Sequence, residues 1–71
     1  MKEIIVIIEK ADDGGYSAYA KKIPGLYGYG LTEEDAKTNF LEVYQEQAEY
    51  HNEKTGVFPD WYSESPNIEY R

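Results

Sequence analysis

The sequence predicts an α+β domain of order β-β-β-α-β, with a mixed four-stranded sheet (order 3-2-1-4) and one helix on one face. Three observations predict it. An unbroken β-branched run, Ile4-Ile5-Val6-Ile7-Ile8, lies near the amino terminus. Breaks at Asp12-Asp13-Gly14-Gly15 and at Pro24-Gly25 divide the chain beyond that run into short segments. One stretch with helical spacing of apolar residues then runs from Thr32 to Gly56.

The β-branched run favours a pleated strand over a helix, because two heavy atoms on Cβ crowd the helical χ1. Its continuity predicts burial on both faces, hence a central strand. Asp-Gly and Gly-Gly supply the positive-φ positions of a hairpin loop. The return strand, 16–21, alternates: Tyr16, Ala18 and Ala20 to one side, Ser17, Tyr19 and Lys21 to the other. Pro24-Gly25 is a second turn, with proline presetting φ and glycine left-handed. Residues 26–29 form a third, short strand, whose glycines either face large tyrosines or let the backbone bend. Thr32 is a good N-cap, followed by acids where the helix dipole favours them. The apolar stripe reads Ala36, Phe40, Val43, Tyr44 and then turns polar at Gln47 and His51, so the last turns should overhang the sheet. Gly56 is a natural stop. Pro59 and Pro66 make residues 57–66 a mostly irregular tail, and residues 67–71 form a last strand. A right-handed crossover sets that strand parallel to the first, on its free side.

The chain has 71 residues, which makes a single domain, 1–71. With no cysteine and one histidine, neither a disulfide nor a structural zinc site can staple so small a core. One helix covers one sheet face only. The other face needs a second subunit or the aromatic tail (Phe58, Trp61, Tyr62), and the second subunit, giving a homodimer or larger, is the preferred expectation. Seven basic against 14 acidic residues leave a net charge of −7. That field disfavours direct binding of nucleic acid or an anionic membrane and favours a basic protein. The five-residue apolar run is too short for a signal peptide, and no run nears the roughly 20 residues of a membrane span. A soluble, cytoplasmic protein is expected.

Four constellations are candidates for chemistry. "GLYGYG", residues 25–30, has glycines but no P-loop Lys-Ser/Thr and no dinucleotide-binding spacing, so turns explain it better. Tyr16, Tyr19, Tyr27 and Tyr29 lie on adjacent strands as a base-stacking platform would, but only Lys21 and Lys22 are near, and such platforms sit in basic grooves. Tyrosines of the core and of an interface are the preferred reading. The element order is similar to a ribonuclease H core, whose two-metal site needs an acid inside the first strand. Here Glu3 and Glu9 only flank it, so no metal, cofactor or catalytic residue is expected. His51 has no nucleophile at a triad spacing and fits a helix C-terminus.

One helical pattern carries more. At about 100° per residue, Asp35, Glu42, Glu46, Glu49 and Glu53 fall within about one sixth of the helix circumference. Glu42/Glu46 and Glu49/Glu53 are like charges at i,i+4, which is mildly destabilising. A solvated acidic face is the plain reading; a docking surface for a basic partner, with Tyr27 and Tyr29 as anchors, is the functional one.

The first half of the chain resembles the amino-terminal domain of HicB-type antitoxins. The apolar strand Ile4–Ile8, the acidic-Gly-Gly-Tyr turn Asp12–Tyr16, the aromatic Tyr19, Pro24-Gly25, the strand-ending Gly30, and Thr32, Glu34, Asp35, Ala36 at the helix start carry the likeness in order. It spans roughly residues 3 to 44. The resemblance implies a degenerate ribonuclease-H-like fold without catalytic acids. It also implies a partner, a small basic HicA-like toxin that cleaves messenger RNA and is occluded by the antitoxin. Many members add a carboxy-terminal DNA-binding domain; this chain is expected to stand alone without one. The expected function is thus non-catalytic protein binding. The alternatives are a residual metal-dependent nuclease and a small-ligand or regulatory domain with a pocket under the tail.

Overall fold

The computed structural model describes residues 3–71; Met1 and Lys2, part of the expected 1–71 domain, lie outside the described residues. The elements are β1 (Glu3–Lys10), β2 (Tyr16–Ala20), β3 (Tyr27–Gly30), α1 (Glu33–Thr55) and β4 (Asn67–Tyr70). The sheet order is β3-β2-β1-β4, with β1 antiparallel to β2 and parallel to β4. The expected α+β arrangement is therefore the observed one. Both turns form where glycine and proline place them: the Gly14 N–H donates to the Ala11 carbonyl at 3.1 Å, and Leu26 N–H to that of Ile23 at 3.4 Å around Gly25 at φ 93°.

The strand register decides which side chains share a face. Val6 faces Ala20 and Tyr70, and Ile4 faces Ile68. These residues point at the helix and form the core with Ala18, Ala36, Phe40 and Tyr44. Val6, Ala18, Ala36 and Phe40 are fully buried. On the opposite face Ile7 pairs with Tyr19 and Tyr19 with Tyr27, while Glu9 pairs with Ser17 and Ser17 with Tyr29. Ile5 and Ile7 are only half-buried there. The central strand is thus apolar on both sides, but a helix protects only one.

The glycines of β3 exist for the helix. A Cβ on Gly28 would lie 2.5 Å from the Phe40 backbone nitrogen and 2.9 Å from the Ala36 carbonyl oxygen. A Cβ on Gly30 would strike Asp35 and the Ala36 nitrogen. The helix backbone therefore rests directly on the strand. This corrects the expectation that these glycines face tyrosines or bend the chain: Gly28 faces Ala18, and only Gly30 faces a tyrosine, Tyr16.

The Thr32 hydroxyl accepts the Asp35 N–H at 3.1 Å, and Gly56, at φ 83°, closes the helix with its N–H on the Asn52 carbonyl at 2.7 Å. The buried stripe is Ala36, Phe40, Tyr44 and Ala48, one residue every four. It runs a turn beyond the predicted one, because the tail comes back over the helix. Tyr44 stacks on Tyr62 with centroids 5.5 Å apart and tilts against Trp61 at 5.4 Å, and Phe58 stacks on Tyr62 at 4.7 Å. The aromatic tail thus covers the helix-side core, not the second sheet face that it was one candidate to cover.

Candidate functional site

Two surfaces and one cavity hold the residues that can meet a partner. The first surface is the outer face of α1. Asp35, Glu42, Glu46, Glu49 and Glu53 are all exposed there. They stand opposite the buried stripe because the apolar residues fill the other side of the same helix. Among the described residues the ion pairs are Glu34–Lys37 at 3.9 Å and Glu69–Arg71, and neither touches this ridge. The ridge carboxylates face water, and the Gln45 amide donates to Glu49 at 3.5 Å.

The second surface is the open sheet face. Tyr27 is 56% and Tyr29 39% exposed. Beside them lie Tyr19, weighed in the sequence as part of a stacking platform, and Ile7 and Ile5, two residues that the sequence pattern did not single out as a site. The signal for them was present: alternation along each strand puts Ile5 and Ile7 with Tyr19, once register is known. The Tyr29 hydroxyl donates to Asp13 Oδ2 at 2.7 Å, and the Gly15 N–H donates to Asp13 Oδ1 at 3.0 Å. Those two bonds, the hydroxyl's first, hold the Asp13 carboxyl below its ordinary range. The same contact pushes the Tyr29 phenol up, since losing its proton would put two anions together. The Tyr29 N–H donates to Asn39 Oδ1 at 2.9 Å, so one donor of the edge strand β3 is taken by the helix. The tyrosine anchors and the acidic ridge therefore lie on opposite sides of the molecule, with sheet and helix between them. They do not form one contact surface.

The cavity, of about 460 Å³, opens among Glu3, Ile4, Ile5, Lys22, Ile23, Asp60 and Trp61. Its walls are aliphatic and indole, and its rim carries both charge signs. The tail forms one side of it, as the small-ligand alternative anticipated. Among the described residues no three His, Cys, Asp or Glu side chains are close enough to hold a metal ion. His51 Nδ1 lies 3.0 Å from the Val57 carbonyl oxygen and ties the helix end to the tail. No described helix is long and apolar enough to cross a membrane.

An acidic α+β domain with one covered and one open sheet face is the class these features define. Over 43 residues, 61% of the chain, it is 44% identical to UPF0150 protein ssl0738 of Synechocystis sp., with 60% of that protein covered. The chain thus spans less than two thirds of the length of this curated relative. No family model matches the sequence, and no solved structure matches it.

Proposed function

We propose that this chain is a non-catalytic, cytoplasmic protein-binding domain of the HicB antitoxin kind, which captures a small basic HicA-like toxin and occludes its RNA-cleaving site. The observation that carries the reading is the centre of β1. In a sheet of order β3-β2-β1-β4, the central strand is where a ribonuclease-H-like enzyme would plant a metal-binding acid. Ile4 to Ile8 fill that position with aliphatic carbon. The ordered set of turn and cap residues that resembles HicB domains supports it, as does the acidic surface. A net charge of −7, with five acids on one helix face, steers a basic partner and speeds encounter.

The test is co-expression with the small basic product of an adjacent reading frame. The two chains should co-purify, and the chain should block RNA cleavage by its partner at one-to-one ratio. Because the ridge and the tyrosines lie on opposite faces, they can be tested separately. Reversing Glu42, Glu46 and Glu49 to Lys should slow capture about tenfold or more at low salt, with a smaller effect at high salt. Unchanged capture would remove the ridge from the contact. RNA cleavage by the chain alone, dependent on Mg²⁺ or Mn²⁺, would replace the reading with the nuclease one.

The cavity favours a second reading, a small-ligand domain. A ligand with an aromatic or branched apolar body would fill the space between Ile23 and Trp61 and quench the indole emission. A metabolite panel that leaves both melting temperature and Trp61 fluorescence unchanged would end it.

A further inference from the structure

Resting on the small-ligand reading of this chain, we infer that the cavity beside Trp61 binds a free α-amino acid with a large apolar side chain. Its ammonium group meets Glu3 and Asp60, and its carboxylate meets Lys22. Three segments distant in sequence come together here: the start of β1, the turn after β2, and the tail. Ile4, Ile5, Ile23 and Trp61 supply the walls. Ile4 is buried, but Ile5, Ile23 and Trp61 are only half-buried, so apolar surface remains for an occupant to cover. The Trp61 wall is braced by the helix: its indole packs against the Tyr44 ring at 5.4 Å, and the Tyr44 hydroxyl lies 3.2 Å from its carbonyl oxygen. A volume of about 460 Å³ falls within the roughly 300–1,000 Å³ of small-molecule sites.

Charge selects the ligand class. Glu3, Lys22 and Asp60 border the cavity, and all three are exposed. Among the described residues the ion pairs are Glu34–Lys37 and Glu69–Arg71, so neither acid is paired with Lys22. A ligand of one sign leaves part of this set opposed. A carboxylate alone meets Lys22 but also faces both acids and the field of a −7 chain. An amine alone suits the acids but brings a second cation to Lys22. An uncharged body displaces water from all three charges and returns little to them. A molecule with an ammonium and a carboxylate on one carbon meets both signs, while its side chain fills the space between Ile23 and Trp61. Each ion pair at so exposed a rim is weak, so the apolar side chain supplies most of the affinity and the charges set the preference.

Trp61 is the chain's one tryptophan, so its emission, excited beyond the absorption of phenylalanine and tyrosine, reports on this cavity. L-Phenylalanine and L-leucine should change that emission saturably, with a dissociation constant on the order of 1 mM at low salt. Phenethylamine lacks the carboxylate and 3-phenylpropionate lacks the ammonium, and each should bind about fivefold more weakly or worse. Lys22→Gln should abolish the preference for phenylalanine over phenethylamine. Glu3→Gln combined with Asp60→Asn should abolish the preference over 3-phenylpropionate. All three positions are exposed, and circular dichroism checks that each variant folds. If phenethylamine or uncharged N-acetylphenylalaninamide binds as tightly as phenylalanine, the amino-acid assignment falls and the small-ligand reading stands. The same holds if both amino acids are silent while other metabolites bind. A response unchanged by all the variants would put the amino acid elsewhere and also overturn the assignment. Silence across the whole metabolite panel would end both.

Discussion

Gly28 is the residue on which the helix rests. Phe40 and Ala36 approach its Cα with backbone atoms, which cannot rotate away as a side-chain end could. Gly28→Ala should therefore lift α1 from β3 or shift the strand, at a cost of about 3 kcal/mol, and thermal or urea unfolding measures it. The loss is a large share of the stability of so short a chain. Gly14, by contrast, has open space around it and matters only through its φ of 90°. A sequence reader sees two glycines flanked by tyrosines in "YGYG" and has no means of telling a strand kink from a bearing surface. The helix that makes the difference arrives only when the chain is folded.

At the scale of elements, α1 was legible almost to the residue. Thr32, the acids after it and Gly56 are local signals that act through backbone groups within one turn. The extent of its buried stripe was not legible, because Ala48 owes its burial to packing beyond the helix itself. His51 ties the start of the tail to the helix, and around Trp61–Ser63 one phenol does so. Tyr44 accepts the Ser63 N–H at 2.8 Å, and its hydroxyl lies 3.2 and 3.3 Å from the Trp61 and Ser63 carbonyl oxygens. Tyr44→Phe keeps the ring stack but strands the Ser63 N–H, so it should cost about 1–3 kcal/mol. Loosening should be confined to residues 57–66, and amide exchange at Ser63 should accelerate ahead of exchange in β1. Uniform acceleration across the sheet would mean that the tail is not a separable element.

Over the whole molecule the titrating groups define a pH window. Asp13 ionises below its ordinary 3.8, so its contribution is present above that value and is lost as pH falls through the lowered one. Tyr29 is raised above 10.0 chiefly by its bond to Asp13, and Tyr44 and Tyr70 chiefly by burial. Their contributions are complete below pH 10.0 and are lost as pH rises through the raised values. Net charge makes the two limbs unequal. Acid takes the −7 chain through its isoelectric point near 4.5 to a positive charge limited by its 7 Lys and Arg residues, whereas alkali strips lysine protons and adds phenolates to a charge that is already negative. The melting temperature should therefore fall more steeply above about pH 10 than below about pH 4, and added salt should blunt the alkaline limb. Equal limbs would show that net charge is not the governing term.

The amino-acid sequence alone determined the element order, the central place of Ile4–Ile8, both turns, the helix with its caps, and the acidity of its outer face. All of these rest on short-range rules: β-branching, proline and glycine dihedrals, capping and the helical period. Only the tertiary structure decided that the aromatic tail packs on Tyr44 and leaves Ile5, Ile7 and Tyr19 open beside Tyr27 and Tyr29. It also decided that these tyrosines and the Glu42–Glu53 acids face opposite ways. Such outcomes depend on which distant segment wins a given apolar face, and that competition is settled by shape and close packing, which no local pattern records.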